Sequence, residues 1–358
     1  MTTLADLPLR DDLRGRTPYG APQAAVGVPL NVNENSFGIP DVVRDDIAAS
    51  LARVVSGVNR YPDREFTSLR HALASYLGHG LRADQLWAAN GSNEVLQQVL
   101  QAFGGPGRTV LGFSPTYSMY PLLSSGVGST WIAGERDEAF ELGAETARRQ
   151  VEQYQPDVVI LCTPNNPTGT DIGLDVVEAV YEAANGIVIV DEAYQEFSDR
   201  ESALTLLPGR ERLFVSRTMS KAFAFAGVRV GYLAADPVAI DALRLVRLPY
   251  HLSALTQAAA EAALRHSEVM LANVAAIAAQ RDRISSRLVE LGYAPYRSAA
   301  NFVLFGGVAD PAGTFSRLLE RDILIRDVGL PGHLRVTAGT EPETTAFLTA
   351  LAEIGNDA

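Results

Sequence analysis

Short apolar runs alternate with stretches of helical spacing through the middle of the chain. Seven of these runs predict strands: Leu86–Ala89, Thr109–Phe113, Ser129–Ile132, Asp157–Cys162, Ile187–Val190, Leu213–Ser216 and Val228–Ala234. Segments between them repeat apolar residues at helical spacing, as over Asn93–Phe103, Ala144–Tyr154 and Leu174–Ala184. Strands that are apolar throughout and separated by helices indicate an α/β fold, in which helices cover both faces of a mostly parallel seven-stranded sheet.

The two ends of the chain follow different patterns. Five prolines interrupt the polar first 40 residues, which predicts an irregular arm. Helical spacing begins at Asp41 and recurs near Phe66–Leu77. The last third combines a helical region over Pro237–Leu291, strands over Asn301–Phe305 and Leu324–Arg326, and a helix over Pro342–Ile354. We therefore expect an arm over residues 1–40, a large domain over 41–236, and over 237–358 a smaller α+β domain with which the arm packs.

Composition and charge exclude several classes of function. The 358 residues include 42 acidic and 30 basic side chains, so the net charge is −12, whereas a protein that neutralises nucleic-acid phosphates would be basic. No apolar run approaches the roughly 18 residues that a membrane span needs. The N-terminus lacks the apolar stretch of a signal peptide, so we expect a cytoplasmic protein without nucleic-acid or membrane partners. One cysteine, Cys162, and five histidines without ligand spacing argue against a metal site.

A single lysine, Lys221, stands among 29 arginines. Arginine can replace lysine in holding a surface charge or an anion, but it stays protonated and cannot act as an amine nucleophile. The position that retains lysine is therefore a candidate for covalent chemistry, although a residual surface lysine would give the same count. Its neighbours, Ser220 and Ala222, exclude the Gly-Lys-Ser/Thr of a phosphate-binding P-loop.

Predicted strand ends carry polar residues, and the ligands of an open parallel sheet collect at the carboxyl ends of its strands. After the first strand, Ser92 and Asn93 lie at the start of a helix, where free N–H groups suit a phosphate or are simply capped. Asp191 ends another strand, where a carboxylate either pairs with a cationic ligand nitrogen or caps the following turn. In the sequence CTPNNPTG, the amide of Asn166 either faces a ligand or belongs to an ordinary turn.

A fourth strand end places hydroxyl and guanidinium groups beside Lys221. Thr218 and Ser220 precede the lysine and Arg229 follows it, a set that would hold a phosphate dianion. Together with the strand-end Asp191, this set suits pyridoxal 5'-phosphate. The lysine would form a Schiff base, the aspartate would keep the pyridine nitrogen protonated, and the hydroxyls with the arginine would anchor the phosphate. Once displaced by the substrate amine, Lys221 would also move the proton between substrate carbon and cofactor.

Ordered motifs along the whole chain carry a resemblance to a known family. They are RDDLRGRTPYGAP, LNVNEN, RYPD, WAANGSNE, TPNNPTG, DEAY, TMSKAFAFAG, RVGY, ANFVLF, ILIRDVG and LRVTAGT. The chain resembles the fold-type I, class I/II aminotransferases that depend on pyridoxal phosphate, and among them the histidinol-phosphate aminotransferases in their actinobacterial form. The resemblance implies a large domain with a seven-stranded sheet, a smaller α+β domain and a homodimer.

The resemblance also implies roles for the residues at matching positions. Cofactor-binding residues would be Ser92, Asn93, Tyr117, Asn166, Asp191, Tyr194, Thr218, Ser220, Lys221 and Arg229, with Tyr61 contributed by the partner subunit. Among them, Asn166 and Tyr194 would hydrogen-bond the phenolic oxygen of the cofactor. Tyr19, Asn35, Arg326 and Arg335 would bind substrate, and Lys221 would be the catalytic residue. Asn33 lies in the same arm as Asn35, which we expect to close over the substrate. Most other tyrosines, Tyr120 and Tyr250 included, are expected to be packing residues.

The reaction implied by the resemblance transfers an amino group between L-glutamate and imidazole acetol phosphate, giving L-histidinol phosphate and 2-oxoglutarate in histidine biosynthesis by a ping-pong route. One departure concerns the substrate side: Ser36 stands where the family usually has proline. Three alternatives stay open. They are an aromatic aminotransferase acting on phenylalanine, a lyase that decarboxylates a phosphorylated amino acid, and a non-catalytic ligand sensor, for which the acidic charge and short arm are unfavourable.

Overall fold

The structure is a computed structural model that describes residues 4–15, 17, 18, 20 and 22–356. Its strands are β1 (Val28–Pro29), β2 (Leu86–Ala89), β3 (Thr109–Ser114), β4 (Thr130–Glu135), β5 (Val158–Cys162), β6 (Ile187–Asp191), β7 (Leu213–Thr218), β8 (Gly231–Ala234), β9 (Ala294–Pro295), β10 (Phe302–Gly306), β11 (Ile323–Leu324) and β12 (Leu334–Thr337). Its helices are α1 (Asp41–Val55), α2 (Thr67–Leu77), α3 (Ser92–Phe103), α4 (Met119–Gly126), α5 (Ala144–Tyr154), α6 (Leu174–Ala183), α7 (Pro237–Arg244), α8 (Ala254–Arg265), α9 (Ser267–Leu271), α10 (Val274–Glu290), α11 (Pro311–Glu320) and α12 (Glu341–Asn356). Short 3-10 helices cover Leu4–Asp6, Asp11–Leu13, Ala83–Gln85, Gln195–Phe197 and Ala203–Leu206.

Seven strands form one sheet in the order β2-β8-β7-β6-β5-β3-β4. Only β8 runs against its neighbours, β2 and β7, and the other neighbouring strands are parallel. Every residue of β2, β5 and β8 is buried, as expected for strands covered on both faces. The predicted α/β fold is confirmed, and each predicted apolar run overlaps one of these strands.

The C-terminal part contains a three-stranded antiparallel sheet in the order β12-β10-β9. The N-terminal arm joins the C-terminal part through β1, which pairs in parallel with β11 in a separate two-stranded sheet. The local pattern predicts neither β9 nor β12, and β9 has only two residues, one of them a proline. In β12 the buried Arg335 also interrupts the apolar run.

Two hydrophobic clusters organise the packing. The first surrounds the seven-stranded sheet and includes Ile240 of α7 and Ala260 of α8. The second contains Leu30 of the arm, Ile277 of α10 and the three-stranded sheet. The domain limits predicted above stay a prediction. Because residues of α7 and α8 belong to the cluster around the large sheet, we propose that the boundary follows Met270 rather than residue 236. None of the described helices is long and apolar enough to cross a lipid bilayer.

Candidate active site

A cavity of about 670 Å³ lies where β5, β6 and β7 end, with residues of both hydrophobic clusters in its wall. Parallel strands present their carboxyl ends at one edge of the sheet, so side chains distant in sequence meet there. The predicted site residues in its wall are Ser92, Asn93, Tyr117, Asn166, Asp191, Tyr194, Thr218, Ser220, Lys221, Arg229, Arg326 and Arg335. The cavity therefore gathers most of the residues that the motifs suggested.

Two predicted residues that the structure describes, Tyr61 and Asn35, are not among those that line the cavity. Tyr61 is 80% exposed, and its ring stacks on that of Tyr250 with centroids 4.3 Å apart. The amide of Asn35 donates to the carbonyl oxygen of Ala222 at 3.1 Å. Tyr19 lies outside the residues that the structure describes. The roles of these three residues stay predictions.

Lys221 lies in the loop that follows β7, with its amine inside the cavity. Its Nζ donates to the carbonyl oxygen of Val32 at 3.0 Å, so the arm passes beside it. Burial lowers the pKa of Lys221 to about 8, and the positive charges of Arg335 and Arg229 act in the same direction. Glu34 acts against them. A lysine with this pKa is partly neutral near physiological pH, as a nucleophile or proton acceptor must be.

Asp191 ends β6 and is buried, yet both of its carboxylate oxygens have a donor. The hydroxyl of Tyr120 donates to Oδ2 at 2.7 Å, and that of Ser216 donates to Oδ1 at 3.0 Å. Burial raises the pKa of Asp191, while these two hydrogen bonds lower it. Tyr120 is buried as expected of a packing residue, but its hydroxyl also belongs to the site. The one local signal for this role is its position three residues after Tyr117.

The first turn of α3 faces the loops that follow β7. Gly91, the N-cap residue, has no side chain to bond the N–H groups of this turn. Gly91 precedes the helix with φ of +85°, and a Cβ there would lie 2.4 Å from Nη2 of Arg229. The hydroxyls of Thr218 and Ser220 are 3.0 Å apart, and Nη1 of Arg229 lies 3.5 Å from Oγ of Ser220. Oδ1 of Asn93 is buried without a hydrogen-bond partner among the described residues. These groups fit a bound phosphate.

A second polar group surrounds the hydroxyl of Tyr194. The amide of Asn33 donates to it at 2.9 Å, and the amide of Asn166 lies 3.5 Å away. Burial is the main cause that raises the pKa of the Tyr194 phenol. Arg335 donates to Oδ1 of Asn166 and, at 2.8 Å, to the carbonyl oxygen of Asn31. The arm, the small sheet and the large domain therefore meet at this phenol.

Arg326 and Arg335 face each other across an antiparallel bridge. Each donates its backbone N–H to the carbonyl oxygen of the other at 2.9 Å. Residues directly opposite on antiparallel strands place their side chains on the same face, with Cβ atoms about 5 Å apart. Since both residues line the cavity, it has two arginines, and therefore two positive charges, in its wall.

Sequence comparison relates the chain to enzymes of one family. The family model for aminotransferase class I and II matches residues 25–351. The histidinol-phosphate aminotransferase of Paenarthrobacter aurescens strain TC1 is 62% identical over 350 residues, covering 96% of this chain and 94% of that protein. The histidinol-phosphate aminotransferase of Mycolicibacterium smegmatis is 55% identical over 358 residues, covering 98% and 94%. The similarity therefore extends along nearly the whole chain.

Solved structures share the fold. The histidinol-phosphate aminotransferase of Sinorhizobium meliloti in complex with pyridoxal-5'-phosphate aligns with a TM-score of 0.82 at 24% identity, covering 93% of this chain and 92% of that one. The aspartate aminotransferase of Thermus thermophilus with maleate aligns with a TM-score of 0.79 at 25% identity, covering 91% of each. The architecture described above is therefore that of known aminotransferases.

Proposed function

This chain belongs to the class I and II aminotransferases, and we propose that it transfers an amino group between L-glutamate and imidazole acetol phosphate. The products are L-histidinol phosphate and 2-oxoglutarate. The observation that carries the proposal is the joint presence in one cavity of Lys221, the chain's lone amine nucleophile, and two adjacent arginines, Arg326 and Arg335. The relatives that cover nearly the whole chain bear the name of the same activity.

The cavity fits pyridoxal 5'-phosphate. Arg229, Thr218 and Ser220, with the first turn of α3, would hold the phosphate, because together they supply cationic, hydroxyl and N–H donors at one point. Asp191 would pair with the ring nitrogen, since its two neutral donors leave its negative charge uncompensated. When bound, the cofactor supplies an aldehyde that reacts with amines and a ring that accepts electrons.

Lys221 would bind the cofactor and then transfer a proton. Its lowered pKa, about 8, means that Nζ can release a proton and take one up near neutral pH. The carbonyl oxygen of Val32, 3.0 Å from Nζ, orients the amine before the cofactor binds. Tyr117, which also lines the cavity, would pack against the cofactor ring.

The two arginines account for an enzyme that must accept two different anions. The planar guanidinium donates to carboxylate and phosphate oxygens in pairs, so Arg335 can bind a carboxylate of glutamate or the phosphate of histidinol phosphate. Arg326, on the same face of the bridge, adds a second positive charge for the phosphate dianion. An amino acid with an uncharged aromatic side chain offers only its single α-carboxylate to these two positive charges, whereas histidinol phosphate offers a phosphate dianion.

We also propose a homodimer in which Tyr61 reaches the phosphate site of the partner subunit. Its support is the 80% exposure of Tyr61, which stacks on Tyr250 instead of lining its own cavity. Leu245 and Leu248 are 86% and 76% exposed, so apolar side chains near Tyr250 in sequence are also available to a second copy. A cytoplasmic location stays a prediction.

A half-reaction tests the substrate. Purified enzyme carrying its cofactor is mixed with histidinol phosphate, or separately with phenylalanine, without any keto acid, and the absorbance of the lysine-bound cofactor is followed. We expect rapid loss of this absorbance with histidinol phosphate and slow loss with phenylalanine.

Other outcomes would change the assignment. Faster loss with phenylalanine would identify an aromatic aminotransferase with the same site. Loss with neither amine would contradict transamination, and release of carbon dioxide from a phosphorylated amino acid would then indicate a lyase. Lys221→Arg is the control for the cofactor signal, because a guanidinium cannot form the bond to the cofactor aldehyde.

A further inference from the structure

Asn33 is fixed from several sides in a conformation that few residues adopt. It is buried, and its φ is +57°, in the left-handed region that asparagine tolerates better than most side chains. Its N–H donates to Oγ1 of Thr337 at 3.0 Å, and the Thr337 hydroxyl donates to Oδ1 of Asn33 at 3.1 Å. The amide of Asn301 donates to its carbonyl oxygen at 3.1 Å. The amide nitrogen is left to point at Tyr194.

The hydrogen-bond pattern determines where the proton of Tyr194 points. Because Oδ1 of Asn33 faces Thr337, its Nδ2 faces Tyr194 and can only donate. The phenolic oxygen therefore accepts at 2.9 Å, and Nδ2 of Asn166, at 3.5 Å, is a second donor. A hydroxyl that accepts from both neighbours must donate its own proton elsewhere. Tyr194 lines the cavity, so an acceptor inside the cavity can receive it.

We propose that Asn33 is a positioning residue that turns the phenolic proton of Tyr194 toward the phenolic oxygen attached to the cofactor ring. This inference rests on the proposed cofactor, but not on the identity of the substrate. In this scheme Asn33 contacts no reacting atom and acts only through Tyr194. Removing it would let the phenol rotate and share its proton with other acceptors.

The same contacts connect Tyr194 with the arginine that would bind substrate. Thr337 and Arg335 are two residues apart on β12 and therefore lie on one face of the strand. The arm runs alongside, since Arg335 donates to the carbonyl oxygen of Asn31, two residues before Asn33. Asn33 thus links the anion-binding strand to the phenol that faces the cofactor.

The experiment is a pH titration of the lysine-bound cofactor, followed by its absorbance, in the wild-type enzyme and in variants. Asn33→Gly is the main variant, because glycine keeps the positive φ without strain and removes only the amide. A donor to this phenolic oxygen stabilises the deprotonated form of the lysine-bound cofactor, because the oxygen carries more negative charge in that form. Losing it should raise the midpoint of the titration by up to about one pH unit, the size of one net hydrogen bond. Tyr194→Phe should raise it by at least as much.

A double-mutant cycle separates positioning from a general structural effect. If Asn33 acts through Tyr194, then Asn33→Gly should not move the midpoint further in the Tyr194→Phe background. Asn185→Ala is the control. Its side-chain amide donates to Oε1 of Gln155 at 2.9 Å, away from the cavity, so its midpoint should equal that of wild type.

Two results would overturn the proposal. One is an unchanged midpoint in Asn33→Gly, and the other is an equal shift caused by Asn33→Gly in wild type and in the Tyr194→Phe background. If Asn33→Gly does not retain cofactor, Thr337→Val decides, because it removes the hydroxyl that orients Asn33 and should raise the midpoint in the same direction. No shift in Thr337→Val would then contradict the proposal. The titration uses no substrate, so failure of histidinol phosphate in the half-reaction would leave its outcome unaffected. A wild-type enzyme that shows no lysine-bound cofactor would contradict the proposed function instead.

Discussion

The hydroxyl of Tyr120 donates a 2.7 Å hydrogen bond to Oδ2 of Asp191, from a position 71 residues earlier in the chain. Ser216 supplies the corresponding bond to Oδ1 at 3.0 Å. A buried carboxylate is costly unless it is paired or hydrogen-bonded. Two neutral donors lower that cost without neutralising the charge, so the carboxylate stays available for a cationic ring nitrogen.

Replacement of Tyr120 by phenylalanine should weaken the hold of Asp191 on the cofactor. With one donor lost, burial raises the pKa of Asp191 further, so the acid limb of the activity profile should move to higher pH. A lost hydrogen bond to a charged group costs about 1.5–3 kcal/mol, so we expect cofactor affinity to fall at least about 10-fold. Equilibrium binding of the cofactor and pH–rate profiles measure both effects. Tyr154→Phe is the control, and equal affinities in the two variants would contradict the role of Tyr120.

The lowered pKa of Lys221 makes capture of the cofactor dependent on pH. The aldehyde reacts with the neutral amine, and burial places the pKa of Lys221 at about 8. The rate of capture by cofactor-free enzyme should therefore rise with pH and level off above about pH 8 to 9. Arg335→Ala removes a repelling positive charge and should move this midpoint upward. Stopped-flow absorbance over about pH 6 to 10 checks both, and a midpoint near that of free lysine would exclude a desolvated amine.

Arg335 should contribute to the binding of both substrates. It is buried, and its guanidinium supplies charge-assisted hydrogen bonds worth about 1.5–3 kcal/mol. Arg335→Ala should therefore raise KM for glutamate and for histidinol phosphate about 10- to 100-fold, and Arg335→Lys should have a smaller effect, because it keeps the charge and loses the planar fork. Steady-state kinetics measures the change, with Arg287→Ala, in an exposed ion pair on α10, as the control. A normal KM for both substrates would remove Arg335 from the site.

A buried ion pair lies on the face of the sheet opposite Asp191. Arg217 donates to Glu192 at 3.0 Å and to Ser202 at 2.9 Å, and both charged side chains are almost fully buried. Glu192→Gln should lower the free energy of unfolding by about 3 kcal/mol, because it leaves the buried guanidinium with only one counter-charge, the carboxylate of Glu196 at 3.6 Å. Urea unfolding measures this. Glu178→Gln breaks the more exposed pair with Arg210 and should cost less than about 1 kcal/mol. Equal losses of unfolding free energy in the two variants would contradict the conclusion that burial makes the pair with Arg217 more important.

Local patterns were sufficient for the large sheet and insufficient for the smaller one. Strands such as Val158–Cys162 are buried on both faces, so burial requires a continuous apolar run that is visible in the sequence. The strand Leu334–Thr337 is just as buried, yet it contains Arg335, which its neighbours hold through Asn31 and Asn166. The apolar pattern gives no reason to bury this arginine, which the motif resemblance assigned to substrate binding.

Residue types, apolar runs and motifs were enough to predict the chemistry and the order of most elements. A lone lysine among arginines and an aspartate at a strand end predict the cofactor without any coordinates, because reactive groups restrict which residue types can occur, and the ordered motifs carry the resemblance to the family. The tertiary structure alone decided which other side chains serve those groups. Tyr120 meets Asp191, Asn33 meets Tyr194 and Arg217 meets Glu192 only after folding. Each pair joins different elements, and hydrogen bonds of this kind depend on distance and direction that no local spacing encodes.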